Sequence, residues 1–327
     1  MSAGTETRAL ARVAQAQAAS PQPGEGGSRR RRKSPAVTEP EGRRGKAGYG
    51  LVSPGLIYLL LFFILPVFTL LATSLYVKPP GADVGQFVPA LEFGNYAVVL
   101  GGYWTELLRS FWFALLATVL CLVIGYPMAY LIAVRLRGHA FLQGLLLVLL
   151  IAPFFTSFVL RTQAWKQILA DQGFVVQTLK TLNLMPDGAS LTTTSVAVVA
   201  GLTYNFLPFM VLPIYANLQG LDSRLLEAGQ DLYANGVTTF RTVTFPMSMP
   251  GVLAGTLLTF IPASGDFVNA AILGNNRNTT MIGQVIESKF MRVLDYPGAA
   301  ALSFILMVAI LILVTLYVRR FGTRDLV

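Results

Sequence analysis

LVSPGLIYLLLFFILPVFTLLATSLY, residues 51–76, is the first of a series of apolar stretches. Each is close to the ~20 residues that a helix needs to cross ~30 Å of hydrocarbon. Others follow at Leu107–Val134, Ala140–Leu160, Thr194–Leu218, Gly251–Leu273 and Ala299–Val318. This pattern predicts an all-α membrane protein with about six transmembrane helices.

The totals agree. Of 327 residues, 54% are hydrophobic and 13% charged, with a mean hydropathy of +0.59. Soluble domains carry roughly 25% charged residues. Here the apolar residues also come in blocks, which is a membrane composition. The single cysteine (Cys121) and single histidine (His139) exclude an intrachain disulfide and a Cys/His metal cluster. His139 follows the basic turn Arg135–Gly138 with no evident partner, so no catalytic group and no metal ligand is assigned. Cys121 lies in an apolar run and reads as a small core residue.

A net charge of +9 suggests nucleic acid until its location is considered. The first fifty residues hold ten Lys/Arg against four Glu, among many Ala, Gly, Pro and Gln. Residues 1–48 therefore read as a disordered basic tail on the cytoplasmic side, with 49–327 as the membrane domain. Both the basic region and the apolar run after it are too long for a secretory signal. With the N-terminus inside, the inner segments carry seventeen Lys/Arg and the outer ones seven. Both termini are expected to be cytoplasmic.

Within the stretches, Pro66, Pro127, Pro153, Pro208, Pro213 and Pro262 are each expected to kink a helix. Gly251, Gly255, Thr259 and Ala263 recur every fourth residue and make one small face for close helix packing. Between spans, Val175, Val176, Leu179 and Leu182 follow helical spacing, as do Trp165, Ile168 and Leu169. An amphipathic helix on the outer surface fits, either as a docking surface or as a cover for the bundle.

The connection 219–249 is long for a compact bundle. Asp222 is a good N-cap. Leu225, Ala228 and Leu232 share one face, Glu227 and Asp231 another, and Gly236 can end the helix. A second short helix can run through Phe240 and Val243 to Pro246. The pair suits either a plug for a partner's groove or a solvated connector.

Glu227-Ala228-Gly229, Asp231-Leu232, Thr239-Phe240, Val243 and Phe245-Pro246 resemble the signature of ABC importer permease subunits. Gly229 stands for the second alanine of that signature, Tyr233 for its glycine and Phe245 for its leucine. The resemblance covers about Leu51–Val318. Ala152-Pro153-Phe154-Phe155-Thr156-Ser157, Arg161-Thr162 with Ala164-Trp165, Phe260 to Val268, and Thr280 to Gly283 look like the spermidine/putrescine branch. It implies a type I ABC importer permease fold. It further implies a cytoplasmic loop, 219–249, that couples to an ATPase through Glu227, Ala228, Gly229, Asp231, Leu232, Gly236 and Pro246. The implied partners are two copies of an ABC ATPase subunit, a second homologous permease and an extracytoplasmic substrate-binding protein, in a bacterial inner membrane. ATP and Mg would belong to the ATPase. This chain would hold no cofactor, hydrolyse nothing and bind no nucleic acid. Relatives that move ferric iron or phosphonates share much of the pattern. An ATP-independent channel or carrier, or a membrane scaffold, are the readings from other classes.

Asp266 is the sharpest pathway candidate, because a carboxylate in an apolar span is expensive and usually faces a cavity or partner. It can pair with a cationic amine, or serve as a structural cap or ion pair with Arg109 or Arg161. Trp165, Tyr204 and Phe267 can offer aromatic faces to an ammonium group, worth about 0.5–2 kcal/mol each, or simply pack. Asn205 can supply a hydrogen bond.

Overall fold

The computed structural model describes residues 44–186, 188–222, 224 and 235–321. The described residues are helical, apart from connecting loops and an isolated antiparallel bridge between Val77 and Val88. The chain divides into two units, Met1–Tyr58 and Leu59–Val327. Helix α1 (Arg44–Leu59) accounts for the described part of the first. The second contains α2 (Leu65–Ser74), α3 (Gly94–Tyr130), α4 (Ala140–Ile151), α5 (Phe158–Ile168), α6 (Phe174–Thr181) and α7 (Ser195–Gln219). It continues with α8 (Gly236–Thr239), α9 (Phe245–Ser264), α10 (Ile282–Ser288) and α11 (Tyr296–Phe321).

Five helical stretches are long and apolar enough to cross a membrane: Val52–Ser74, Gly94–Arg135, Ser195–Gln219, Gly236–Ser264 and Tyr296–Phe321. The sixth expected span, Ala140–Leu160, is not one rod. Ala140–Phe155 and Phe158–Ile168 meet at 101°. Pro153 opens a 3₁₀ turn over Ala152–Phe155, and the Thr156 hydroxyl donates to the Pro153 carbonyl at 2.7 Å. Thr156 and Ser157 then adopt extended ψ angles of 153° and 135°, which ends the helix.

The fifth span also differs from its expected bounds, Gly251–Leu273. It starts at Gly236 and ends at Ser264, so most of the second half of the 219–249 connection is helix. Gly236 begins this helix rather than ending one: Asn235 Oδ1 caps it by accepting from the Thr238 amide at 2.7 Å.

Proline accommodation explains several of the helix irregularities. Pro66 and Pro246 follow wider π turns at Leu60–Ile64 and Phe240–Thr244. A proline cannot donate to the carbonyl four residues back, and its ring collides with that carbonyl. A wider turn at that point relieves both problems.

α7 is the central helix: 61% of its most apolar stretch is buried, against 39% or less in the other four spans. It packs against α3 and α9, while α11 packs against α2 and α3. The expected small face lies where α9 meets α7. A methyl on Gly251 would sit 2.9 Å from the Pro213 carbonyl oxygen, and one on Gly255 2.9 Å from that of Met210. Thr259 and Ala263 are buried on the same face. α5 and α6 bury Thr162, Leu169 and Val176. Trp165 and Val175 pack on the core formed by Phe113, Val198 and Leu202, so this segment covers the bundle.

Side chains close several helix ends. Asn95 Nδ2 donates to the carbonyls of Ser74 and Tyr76, each at 2.9 Å, beyond the last turn of α2. Arg137 donates to the carbonyls of Leu218, Gln219 and Leu221 at 3.1–3.2 Å, where α7 ends. These carbonyls would otherwise lack intrahelical donors.

Gly255→Val should cost about 1–3 kcal/mol through overpacking against α7. The readout is a lower melting temperature of the purified protein. Leu258→Val, at a half-exposed position of the same helix, should leave it near native; equal effects would contradict the backbone contact.

Candidate functional site

The end of α9 sets the site. The helix stops at Ser264, and Asp266 starts a new turn: its Oδ1 accepts from the Asn269 amide at 2.8 Å. A carboxylate at a helix start satisfies a free N–H and meets the positive end of the peptide dipoles. The turn continues as a π turn over Ala270–Gly274 and closes with Asn275 in the left-handed region (φ 45°). Asp266 is thus at the break after the span, not inside a continuous helix. It is 8% exposed. Neither cation named as an alternative partner turns to it. Arg109 donates to the carbonyls of Arg277 and Thr280 at 2.8 and 2.9 Å, and Arg161 lies over the rings of Phe154 and Phe158.

From this turn a polar network crosses the bundle. Asn269 Oδ1 accepts from Asn205 Nδ2 at 3.0 Å. The same Nδ2 donates to Thr162 Oγ1 at 3.1 Å. The Thr162 hydroxyl has one proton, which reaches the Phe158 carbonyl at 3.0 Å and Asn269 Oδ1 at 3.4 Å. Asn205 is 1% exposed and Asn269 and Thr162 are fully buried. Three elements are therefore joined: α5 through Thr162, α7 through Asn205, and the turn after α9 through Asp266 and Asn269. Gly201 on α7 makes room, since a methyl there would meet Asn269 Oδ1 at 2.9 Å. Two atoms of the network, Asn205 Oδ1 and Asn269 Nδ2, are buried without a partner.

Of the sequence candidates, Trp165 and Tyr204 meet edge to face, with ring centroids 5.3 Å apart. Asn205 is the next residue on α7 and turns to Thr162 and Asn269. Phe267 is half-exposed beside Asp266. The network residues that sequence reasoning did not single out are Asn269 and Thr162. Asn269 lies three residues after Asp266, but the cap takes its backbone N–H, so the spacing does not single out its side chain.

At the other end of α9, Glu227, Ala228, Gly229, Asp231 and Leu232 lie outside the described residues. Their flanks are described. Asp222 Oδ1 accepts from the Arg224 amide at 3.0 Å. Phe240 meets Tyr126 and Tyr130 edge to face, at 5.6 and 5.8 Å. The Tyr126 hydroxyl pairs with Ser248 Oγ at 2.8 Å, two residues beyond Pro246. The start of the long helix is therefore fastened to α3.

The described residues form a multi-pass helical bundle with a buried polar network between its spans. Its fold is that of ABC importer permeases. A chain of a bacterial ABC transporter involved in the import of the acidic polysaccharide alginate superimposes with a TM-score of 0.65 at 17% identity, over 86% of this chain and 97% of that one. No family model matches the sequence. The spermidine/putrescine transport system permease protein PotB of Salmonella typhimurium (strain SL1344) is 36% identical over 264 residues, 80% of this chain and 89% of that protein. PotB of Escherichia coli (strain K12) is also 36% identical over 264 residues, 93% of its own length. The chain belongs to this family of permease proteins, the transmembrane subunits of ABC importers.

Asn269→Leu should leave Asn205 Nδ2 with one acceptor and destabilise the protein by about 1–3 kcal/mol. In a double-mutant cycle with Asn205→Leu, the pair should couple by more than about 0.5 kcal/mol in chemical unfolding. Strict additivity would contradict the bond.

Proposed function

We propose that this permease moves polyamines, spermidine or putrescine, inward through a pathway of which it forms half. The observation that carries the cargo is the buried carboxylate of Asp266, tied through Asn269 to Asn205. A carboxylate of this kind attracts an ammonium group and repels an anion. Asn205 Oδ1 is a further free acceptor, and Trp165 and Tyr204 offer aromatic faces beside it. The names of the relatives, spermidine/putrescine permeases, point the same way.

The other half of the pathway is a second homologous permease. An extracytoplasmic binding protein delivers the polyamine; the alginate transporter also occurs in complex with a periplasmic protein. Two ATPase subunits, holding ATP and Mg, bind the cytoplasmic loops, one per permease; here one docks on segment 219–249, with Glu227, Ala228, Gly229, Asp231 and Leu232 at the contact and Gly236 and Pro246 at its base. This chain hydrolyses nothing. Its termini face the cytoplasm, as the seventeen-to-seven distribution of Lys/Arg favours.

In this reading the mechanism runs along the chain. ATP binding closes the ATPase pair and moves segment 219–249. The long helix Gly236–Ser264 carries that movement to the Asp266 turn at its far end. Shifting this turn breaks or remakes the Asn205–Asn269 bond and changes which side of the membrane reaches Asp266.

Uptake of radiolabelled spermidine, measured in cells carrying the chain with its transporter partners, tests the reading. Asp266→Asn should lower uptake about tenfold, the equivalent of ~1.4 kcal/mol of lost pairing, and Glu227→Ala should weaken it at normal protein levels. Absence of spermidine uptake while the ATPase still co-purifies would remove the polyamine and keep the importer.

A further inference from the structure

Arg161 is a cation that the transport reading does not use. It sits one turn past the 101° bend between α4 and α5. Its guanidinium carbon lies 5.3 Å from the Phe154 ring centroid and 5.5 Å from that of Phe158. Its Nε is buried and has no hydrogen-bond partner. A guanidinium fixed among apolar groups is costly unless an anion pairs with it.

Beside it is a cavity of about 250 Å³. One wall follows α4 from Leu146 through Leu149 to Pro153, about two turns or ~10 Å. Met128 of α3 and Leu207 of α7 form others. Apart from Arg161 and the ring of Tyr204, the lining is aliphatic. Neighbouring positions of α4 and α5 are apolar and exposed too: Val148, Phe155 and Leu160. The cavity is thus an apolar slot along a span, with one fixed positive charge among its lining.

We propose that the slot holds one acyl chain of an anionic phospholipid, whose phosphate accepts from the Arg161 guanidinium. The apolar lining along two turns of α4 suits an alkyl chain. The charge chooses the headgroup, because guanidinium N–H groups match phosphate oxygens in a two-point bond. Spermidine and putrescine are excluded as occupants, since their ammonium groups would face a like charge. The lipid braces α4 against α3 and α7 beside the bend; of the residues offered to the cargo, Tyr204 alone also lines the slot. This inference stands whatever the cargo proves to be.

The test uses the complete transporter in mixed micelles, with phosphatidylglycerol or phosphatidylcholine as the added lipid. Native mass spectrometry reads the lipid retained, and thermal unfolding reads its effect. The native chain should retain phosphatidylglycerol about tenfold over phosphatidylcholine and melt at a higher temperature with it. Arg161→Gln should abolish the preference. Leu149→Trp keeps the charge but fills the slot, so it should lower retention of both lipids; it decides the matter if Arg161→Gln does not fold. Equal retention of the two lipids by the native chain would overturn the proposal, as would a preference that survives Arg161→Gln. Displacement of the lipid by millimolar inorganic phosphate would make this a free-anion site, and displacement by spermidine a cargo site; either result also overturns it.

Discussion

α9 and α7 meet backbone to backbone, and the placement of the functional groups depends on that contact. In a bilayer there is no hydrophobic drive between helices, because lipid tails are as apolar as leucine. Close packing has to hold the helices together, and Gly251 and Gly255 permit it by exposing the α9 backbone to Pro213, Ile214 and Met210. The contact fixes α9 along its length against α7. One end of the long helix then stands at Phe240, packed on Tyr126 and Tyr130. The other ends beside Asp266, whose turn brings Asn269 to Asn205 of α7. The same packing therefore orients the base of the 219–249 segment and the buried polar network.

The second constraint is the demand that backbone polar groups in hydrocarbon be satisfied internally. Prolines break that rule locally, and the chain repairs it with π turns before Pro66 and Pro246 and a 3₁₀ turn at Pro153. Where repair by backbone is incomplete, side chains act: Asn95 closes α2, Arg137 closes α7, and Asp266 opens the turn after α9. A buried Asp is tolerable here because it accepts an amide proton. That capping does not use all of a carboxylate's lone pairs, which leaves capacity for a cationic partner.

Much of this was legible in the sequence. Apolar length located the spans, and the four-residue recurrence of small side chains located the α7–α9 contact. The bend at Phe155–Phe158 was hidden because the apolar run continues to Leu160 while the backbone turns; Pro153 and Thr156 were the local signs. The end of α9 was missed for a similar reason. Val268 and Ala270 to Leu273 keep the segment apolar, although Gly265-Asp266 breaks the helix. Gly236 was read as a C-cap, but Asn235 before it is an N-cap residue, and that side chain decides the direction. The Asn205–Asn269–Thr162 network needed the fold, since no periodicity links positions on three separate elements.

We propose that movement enters through the 219–249 segment and passes along the helix from Gly236 to the Asp266 turn. Its most direct test is the number of ATP molecules hydrolysed per spermidine imported, measured in proteoliposomes for the native transporter and for Phe240→Ala. Loss of the ring removes the edge contacts of Phe240 with Tyr126 and Tyr130 and loosens the base of the helix, which keeps the Tyr126–Ser248 bond. The account predicts that hydrolysis continues while import falls, so the ratio rises. An unchanged ratio, with both rates intact, would show that the drive reaches the pathway by another route.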